Sequence, residues 1–366
     1  MRIPITGRAD PFTIGVDTMT MRKQIGPRFG IIEPLTACQL RCPGCYMIRR
    51  KALNGRQMSL EEAIRILDLC RDHRGGVELE TMDILGGEPL FWPYLEPFVE
   101  ELLRRQIKPW IFTNMIAITP ELAKWLFDRK VAITGKLNIG NPEDPSQLKL
   151  QAEMIGRDVE TARQMIRSID VFLGVGYRDP LFRLENLLRR KNLPFAADFV
   201  VYCRSRGIGF DLEVMGCGEP LGEDYFRIAP TPAELAALVR EFEKRPEDLP
   251  EFRGTEGKLL MPHMFGACRF FDNGMYFAVD GGIRACSNSM VELARVTDPD
   301  PIRKADESRL ICSRKSLTQA IVGEPCRSCS KWTKCRGGCR ATAEGSGDPF
   351  AGFQLCPLPI LHGNSE

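Results

Sequence analysis

Ten of the fourteen cysteines fall into two sets whose spacings few folds can accommodate. The first reads C-x3-C-x2-C at Cys38, Cys42 and Cys45, within Ala37-Cys38-Gln39-Leu40-Arg41-Cys42-Pro43-Gly44-Cys45-Tyr46. The second is a spaced series of seven: C-x12-G-x4-C from Cys268 through Gly281 to Cys286, then C-x2-C-x5-C-x3-C at Cys326, Cys329, Cys335 and Cys339, then Cys356. Thiolates gathered in this way select zinc or iron–sulfur clusters over hard cations. Three thiolates leave one iron of a four-iron cluster without a protein ligand, whereas structural zinc takes four closed ligands. For Cys326, Cys329, Cys335 and Cys339 taken alone, a ribbon-like zinc site is the competing reading.

Two further segments carry backbone signals. Met82-Asp83-Ile84-Leu85 is an apolar, strand-like run that ends in Gly86-Gly87-Glu88-Pro89. Paired glycines there can take φ > 0 and let a ligand approach the main chain. Trp110-Ile111-Phe112 is a β-branched and aromatic run that ends in Thr113-Asn114. In this order and spacing, these segments and the first cysteine set resemble the radical S-adenosylmethionine (SAM) enzymes. In that family SAM chelates the open iron of a four-iron cluster, an electron cleaves its sulfonium, and the resulting 5′-deoxyadenosyl radical abstracts hydrogen from a substrate. The second cysteine set is similar to the SPASM extension of the family, a C-terminal domain with two auxiliary clusters.

The resemblance implies that Cys38, Cys42 and Cys45 hold the SAM-binding cluster. It assigns Cys326, Cys329, Cys335 and Cys356 to an outer auxiliary cluster, and Cys268, Cys286 and Cys339 to an inner one. Seven thiolates cannot close two four-iron clusters, so the inner cluster keeps an open iron or recruits an eighth ligand, Cys217 or Cys312. Cofactor contacts are implied at Tyr46, Gly86, Gly87, Glu88 and Pro89, with the Glu88 carboxylate as the ammonium partner, and at Thr113 and Asn114 for the ribose. Cys70 reads as core, since free cysteine is among the most buried residue types.

Strand-like and helix-like runs alternate from residue 30 to 214, the pattern of a parallel sheet with helical crossovers. Ser59 and Glu62 form a capping box ahead of a helix stopped by Gly75. Thr119-Pro120 and Thr231-Pro232 open two more helices, each with proline at the first position. Segment 139–156 reads as a turn-rich insertion over the active-site mouth, followed by a helix from Val159 to about Ser168 and a strand at Val171-Phe172-Leu173-Gly174-Val175. Six βα units are too few for a closed eight-stranded barrel. The expected fold is α/β, an open (β/α)6 partial TIM barrel followed by a small cysteine-rich α+β SPASM domain. The expected division is an N-terminal extension over 1–30, the barrel over 31–225, a bridging helix and linker over 226–262, and the auxiliary-cluster domain over 263–366.

Lys136 and Glu213 lie at expected C-terminal strand ends and read either as SAM or substrate contacts or as members of a strand-end ion pair. Cys217, Asp272 and Tyr276 are the candidate catalytic residues, with Asp280 and Arg284 beside them; Asp272-Asn273-Gly274 and Asp280-Gly281-Gly282 are also turn signals. His263 reads as structural. Net charge is +2, from 50 basic and 48 acidic residues mixed along the chain, so no global field recruits nucleic acid. Arg49-Arg50-Lys51 and Arg189-Arg190-Lys191 read as solvated runs, the first also as an aid to the SAM carboxylate or to a flavodoxin or ferredoxin donor. No apolar run spans a membrane and the N-terminus lacks a signal-peptide core, so a reducing cytoplasm is expected. The resemblance implies a peptide or protein substrate, or else a small molecule. Only 37 residues precede Cys38, fewer than a leader-peptide-binding domain needs. A non-catalytic iron–sulfur electron carrier is the reading of another class, and a SAM pocket argues against it.

Overall fold

The computed structural model describes residues 26–47, 55–215, 225, 227–245, 247, 270–289, 291–312 and 316–361. Strands and helices alternate as β1 (Phe29–Ile32), α1 (Leu60–His73), β2 (Thr81–Ile84), α2 (Leu95–Arg104), β3 (Lys108–Thr113) and α3 (Pro120–Asp128). They continue as β4 (Ala132–Lys136), α4 (Pro145–Ile155), α5 (Val159–Gly174), β5 (Phe182–Leu188), α6 (Ala196–Ser205) and β6 (Gly209–Val214). Beyond them lie α7 (Pro232–Glu243), α8 (Phe270–Asn273), β7 (Gly274–Phe277), β8 (Gly282–Arg284) and β9 (Ala294–Arg295). The last described helices are α9 (Pro301–Cys312), α10 (Trp332–Cys335), α11 (Arg340–Gly345) and α12 (Leu358–Leu361).

One sheet runs through the molecule in the order β6-β5-β4-β3-β2-β1-β7-β8-β9. Strands β1 to β6 are parallel, so their C-terminal ends share one edge, where an α/β barrel places its ligands. The sheet does not close: the fold is the open partial barrel. Past β1 it continues into β7, which pairs parallel to β1 in the register Phe29↔Gly274, and then into antiparallel β8 and β9.

Local sequence marks the starts of α1 and α7. The Ser59 side chain accepts from Glu62 N while Glu62 reaches back to Ser59 N, and α1 buries Ala63, Ile66, Leu67 and Cys70. Thr231 and Glu234 form the same reciprocal cap on α7, with Pro232 inside the first turn. Ile111, Ile133 and Leu184 from the strands meet Phe98, Leu102, Ile169 and Phe172 from the helices in one continuous core.

Two stretches differ from the expectation. Segment 139–156 contains the helix α4, capped by Asp144 and ended by Gly156 in the left-handed region. Val171–Val175 is not a strand: residues to Gly174 are the last turns of the sixteen-residue α5, and Val175 is its C-cap. The β-branched and aromatic residues of that run mimic strand propensity, but Ile169 and Phe172 sit on the buried helix face and tertiary packing decides. The fifth strand lies at Phe182–Leu188 instead, where buried Glu185 and Asn186 interrupt the apolar signal.

Candidate functional site

The segment after β1 carries the first cysteine set at the C-terminal edge of the sheet. Cys38, Cys42 and Cys45 are half-buried free thiols. Burial pushes Cys38 up to about 11 and Cys42 up to about 12, and raises Cys45 as well. Cys45 raises both other thiols through its charge, which places the three together. Leu40 N donates to Cys38 Sγ at 3.4 Å, and Asn114 Nδ2, from the end of β3, reaches the same sulfur at 3.7 Å. Bare thiols here stay protonated, and a metal centre binding them as thiolates reverses that preference.

The Gly86-Gly87-Glu88-Pro89 turn is pressed against the approach to this loop. Gly87 N donates to Leu35 O at 2.9 Å and Glu88 N to Ala37 O at 2.7 Å. A Cβ on Gly87 would stand 2.1 Å from Ala37 O, and one on Gly86, at φ +128°, 2.8 Å from Leu35 O. The sequence suggests a ligand as the group that needs the glycines; the structure shows the chain's own main chain in that position. Glu88 is fully buried, and its carboxylate accepts from Thr113 Oγ1 at 2.5 Å, Asn114 N at 2.8 Å and Leu90 N at 3.1 Å. Burial, opposed by these bonds, raises Glu88 to about 7. Pro89 is buried behind it, and Tyr46 Oη donates to Gly86 O at 3.3 Å. The motif therefore fastens the cysteine loop to the end of β3.

Charged side chains gather at the other strand ends. Lys136 on β4 forms an ion pair with Glu185 on β5, and Glu213 on β6 is in hydrogen-bond contact with Glu185. Burial raises the Glu185 carboxyl, Lys136 opposes the rise and Glu213 adds to it. Arg189, just beyond β5, is 8% exposed, and its Nε is buried without a hydrogen-bond partner. Burial lowers the pKa of its guanidinium, and Cys42 and Cys45 counter that shift, which sets the cation beside the thiols. The sequence presents Arg189-Arg190-Lys191 as a solvated run; Arg190 and Lys191 are exposed, but Arg189 turns inward. Glu33, directly after β1, carries no sequence signal at all: it is fully buried and accepts from the hydroxyl of Tyr276 on β7. Only correct strand registers, unreadable from composition, would single out Glu33, Glu185 and Arg189.

The C-terminal cysteines form two groups. Cys326, Cys329 and Cys335 all raise Cys356 through their charges, and burial, the largest cause, takes Cys356 to about 12 and Cys335 to about 11. Phe353 N donates to Cys326 Sγ at 3.3 Å and Lys331 N to Cys329 Sγ at 3.4 Å. Cys286 and Cys339 instead share a small apolar cluster with Phe271, Ala285 and Ala341. Arg284, opposite Tyr276 in the β7–β8 pair, has Nε and Nη1 buried without hydrogen-bond partners. Asp272, on α8, lies close enough to Arg309 of α9 for its charge to act on that guanidinium. Cys217, Cys268, His263 and Arg49-Arg50-Lys51 lie outside the described residues, as does the side chain of Cys312.

Among the described residues, no three histidine, cysteine, aspartate or glutamate side chains converge as ligands of a single metal ion. A four-iron cluster bonds each thiolate to a different iron and presents sulfides that accept hydrogen bonds. The donor set fits such a group: thiols gathered in sets, an amide at Cys38 and an orphaned arginine nitrogen near Cys42 and Cys45. Among the described residues no helix is long and apolar enough to cross a membrane.

Residues 32–192 match the model of the Radical SAM superfamily. Among solved structures, SuiB of Streptococcus suis bound to its precursor peptide SuiA is similar, with 19% identity and a TM-score of 0.66 over 93% of this chain and 78% of that one. SuiB bound to S-adenosylmethionine gives 18% identity and a TM-score of 0.64 over the same shares, 93% and 78%. Native anSMEcpe with bound AdoMet and a Cp18Cys peptide gives 18% identity and a TM-score of 0.66 over 92% of this chain and 94% of that one. At these identities the likeness establishes the fold. No curated protein sequence matches the chain.

Proposed function

We propose that this chain is a radical SAM enzyme, with Cys38, Cys42 and Cys45 as ligands of the SAM-binding cluster. The observation that carries the reading is a loop of three thiols, coupled through their charges, that begins where the Gly86-Gly87 turn meets Ala37 and reaches the Asn114 amide at Cys38, with Arg189 near enough to Cys42 and Cys45 to feel their charge. When bound, the cluster supplies the electron that splits the SAM sulfonium to a 5′-deoxyadenosyl radical, which takes hydrogen from a substrate. The chain's own groups hold and orient. The Gly86-Gly87-Glu88-Pro89 turn and Tyr46 line the methionine end, while Thr113 and Asn114 lie at the ribose. Arg189, a buried cation lacking an Nε acceptor, suits the SAM carboxylate. Lys136, Glu185 and Glu213, joined at the strand ends, would bind and orient SAM or the substrate.

In this reading Cys326, Cys329, Cys335 and Cys356 bind an outer auxiliary cluster, and Cys268, Cys286 and Cys339 an inner one, in a SPASM domain over 263–366. Tyr276 and Asp272, with Cys217, stand as its catalytic candidates, and a flavodoxin or ferredoxin as its donor in a reducing cytoplasm. The substrate is a peptide or protein side chain, which the peptide-bound SuiB and anSMEcpe structures support. The test is anaerobic reconstitution with iron and sulfide, then dithionite and SAM. The expected result is brown protein that forms 5′-deoxyadenosine, with formation abolished in Cys42→Ala. Brown protein that never cleaves SAM identifies an electron carrier, and colourless zinc protein overturns the reading.

A further inference from the structure

The helix α4 is attached at both of its ends to parts of the site. Near its start, Gln147 Oε1 accepts from Gly140 N and Asn141 N, both at 2.9 Å, and Gln151 Oε1 accepts from Asn138 N at 2.9 Å. Both glutamines are buried, so the chain leaving β4 is bound to the face of the helix. At its far end, Ile155 O accepts from Arg41 N at 3.0 Å, inside the cysteine loop. Arg157 Nε donates to Gln39 O at 2.5 Å. Gly156 takes φ +64°, where a Cβ would stand 2.2 Å from Arg41 O. Leu40 packs with Leu148, Ala152 and Ile155 of the same helix.

The β4 attachment continues toward Arg189. Asn192 Nδ2 donates to Asn138 O at 3.2 Å and to Asn186 Oδ1 at 2.8 Å, while its Oδ1 accepts from Arg189 N at 2.7 Å. A helix of eleven residues is a rigid rod about 16 Å long, and the buried Asn192 amide is held through both its oxygen and its nitrogen, although Nδ2 of Asn186 in the same network has no partner. We infer that α4 is a strut that sets the spacing between the Cys38/Cys42/Cys45 thiols and the Arg189 guanidinium, with Arg157 and Asn192 as positioning residues at its two attachments. SAM has to reach both partners at once, so its affinity depends on that spacing.

The inference rests on the SAM reading, and two measurements separate their fates. Arg157 is exposed, so Arg157→Ala folds as the parent does. In the metal-free chain, hydrogen exchange of the Arg41 amide is expected to quicken about tenfold in Arg157→Ala, as befits the loss of one charged hydrogen bond, with partial recovery in Arg157→Lys. In reconstituted protein the Kd for SAM, read from the electron paramagnetic resonance of the reduced cluster, is expected to rise about tenfold at unchanged iron content, again partly recovered by lysine. Unchanged exchange, or faster exchange with unchanged SAM affinity, overturns the strut. A parent protein that binds no SAM removes the functional reading, while the exchange result still decides whether α4 holds the loop.

Discussion

Cysteine announces itself by type and spacing, so both thiol sets are legible in the sequence itself. Glu88 is legible as a motif member but not in its bonding, because which groups meet a carboxylate depends on where β3 ends. Its raised pKa has a consequence with a definite sign. Between the ordinary value of 4.5 and about 7 the folded chain holds a proton that the unfolded chain has released. This contribution therefore favours folding below about 4.5 and is lost as pH rises toward 7, by about 3 kcal/mol. Urea titrations of the metal-free chain at stepped pH are expected to show that decline, and Glu88→Gln is expected to flatten it. Gly87→Ala tests the neighbouring contact: a methyl 2.1 Å from Ala37 O has to displace the cysteine loop. On the function proposed above, iron uptake by the first set should fall severalfold while absorbance from the C-terminal set persists.

At the scale of elements, caps and periodicity are readable and polar strands are not. Capping boxes at Ser59 and Thr231 mark α1 and α7 in the sequence because their chemistry is local. Strand β5 is hidden because Glu185 and Asn186 are turned to the site and the adjoining polar network, which breaks the apolar run that marks a buried strand. Val171–Val175 carries the strand-like signal instead, so the expected number of strands agrees with the barrel while one of them is misplaced. A second polar contact fixes α9: Asp306 pairs with Arg309, itself only 4% exposed, and lies 3.0 Å from His73 Nε2 at the end of α1. Asp306→Ala removes the carboxylate bonded to a buried guanidinium that keeps, among the described residues, only Asp272 as a nearby counter-charge, and is expected to destabilise the fold by about 2–4 kcal/mol in denaturant titration.

For the whole molecule, the sequence yields two regions but not the way they join. Parallel pairing of β7 with β1 makes one sheet of both, and no local pattern encodes a contact between residues so far apart. A chain cut after residue 262 leaves the outer edge of β1 bare, and such an edge templates association. Size-exclusion chromatography is expected to show it aggregated; a soluble monomer would mean that the barrel completes itself without β7. The same pairing bears on how the protein is made. Strand β1 leaves the ribosome early, yet its second neighbour begins only at Gly274. At about 5–20 residues per second, the wait from Phe29 to Gly274 lasts roughly 12–50 s. Through that interval the strand that delivers the cysteine loop has one edge unpaired, and such an edge is open to pairing with other chains.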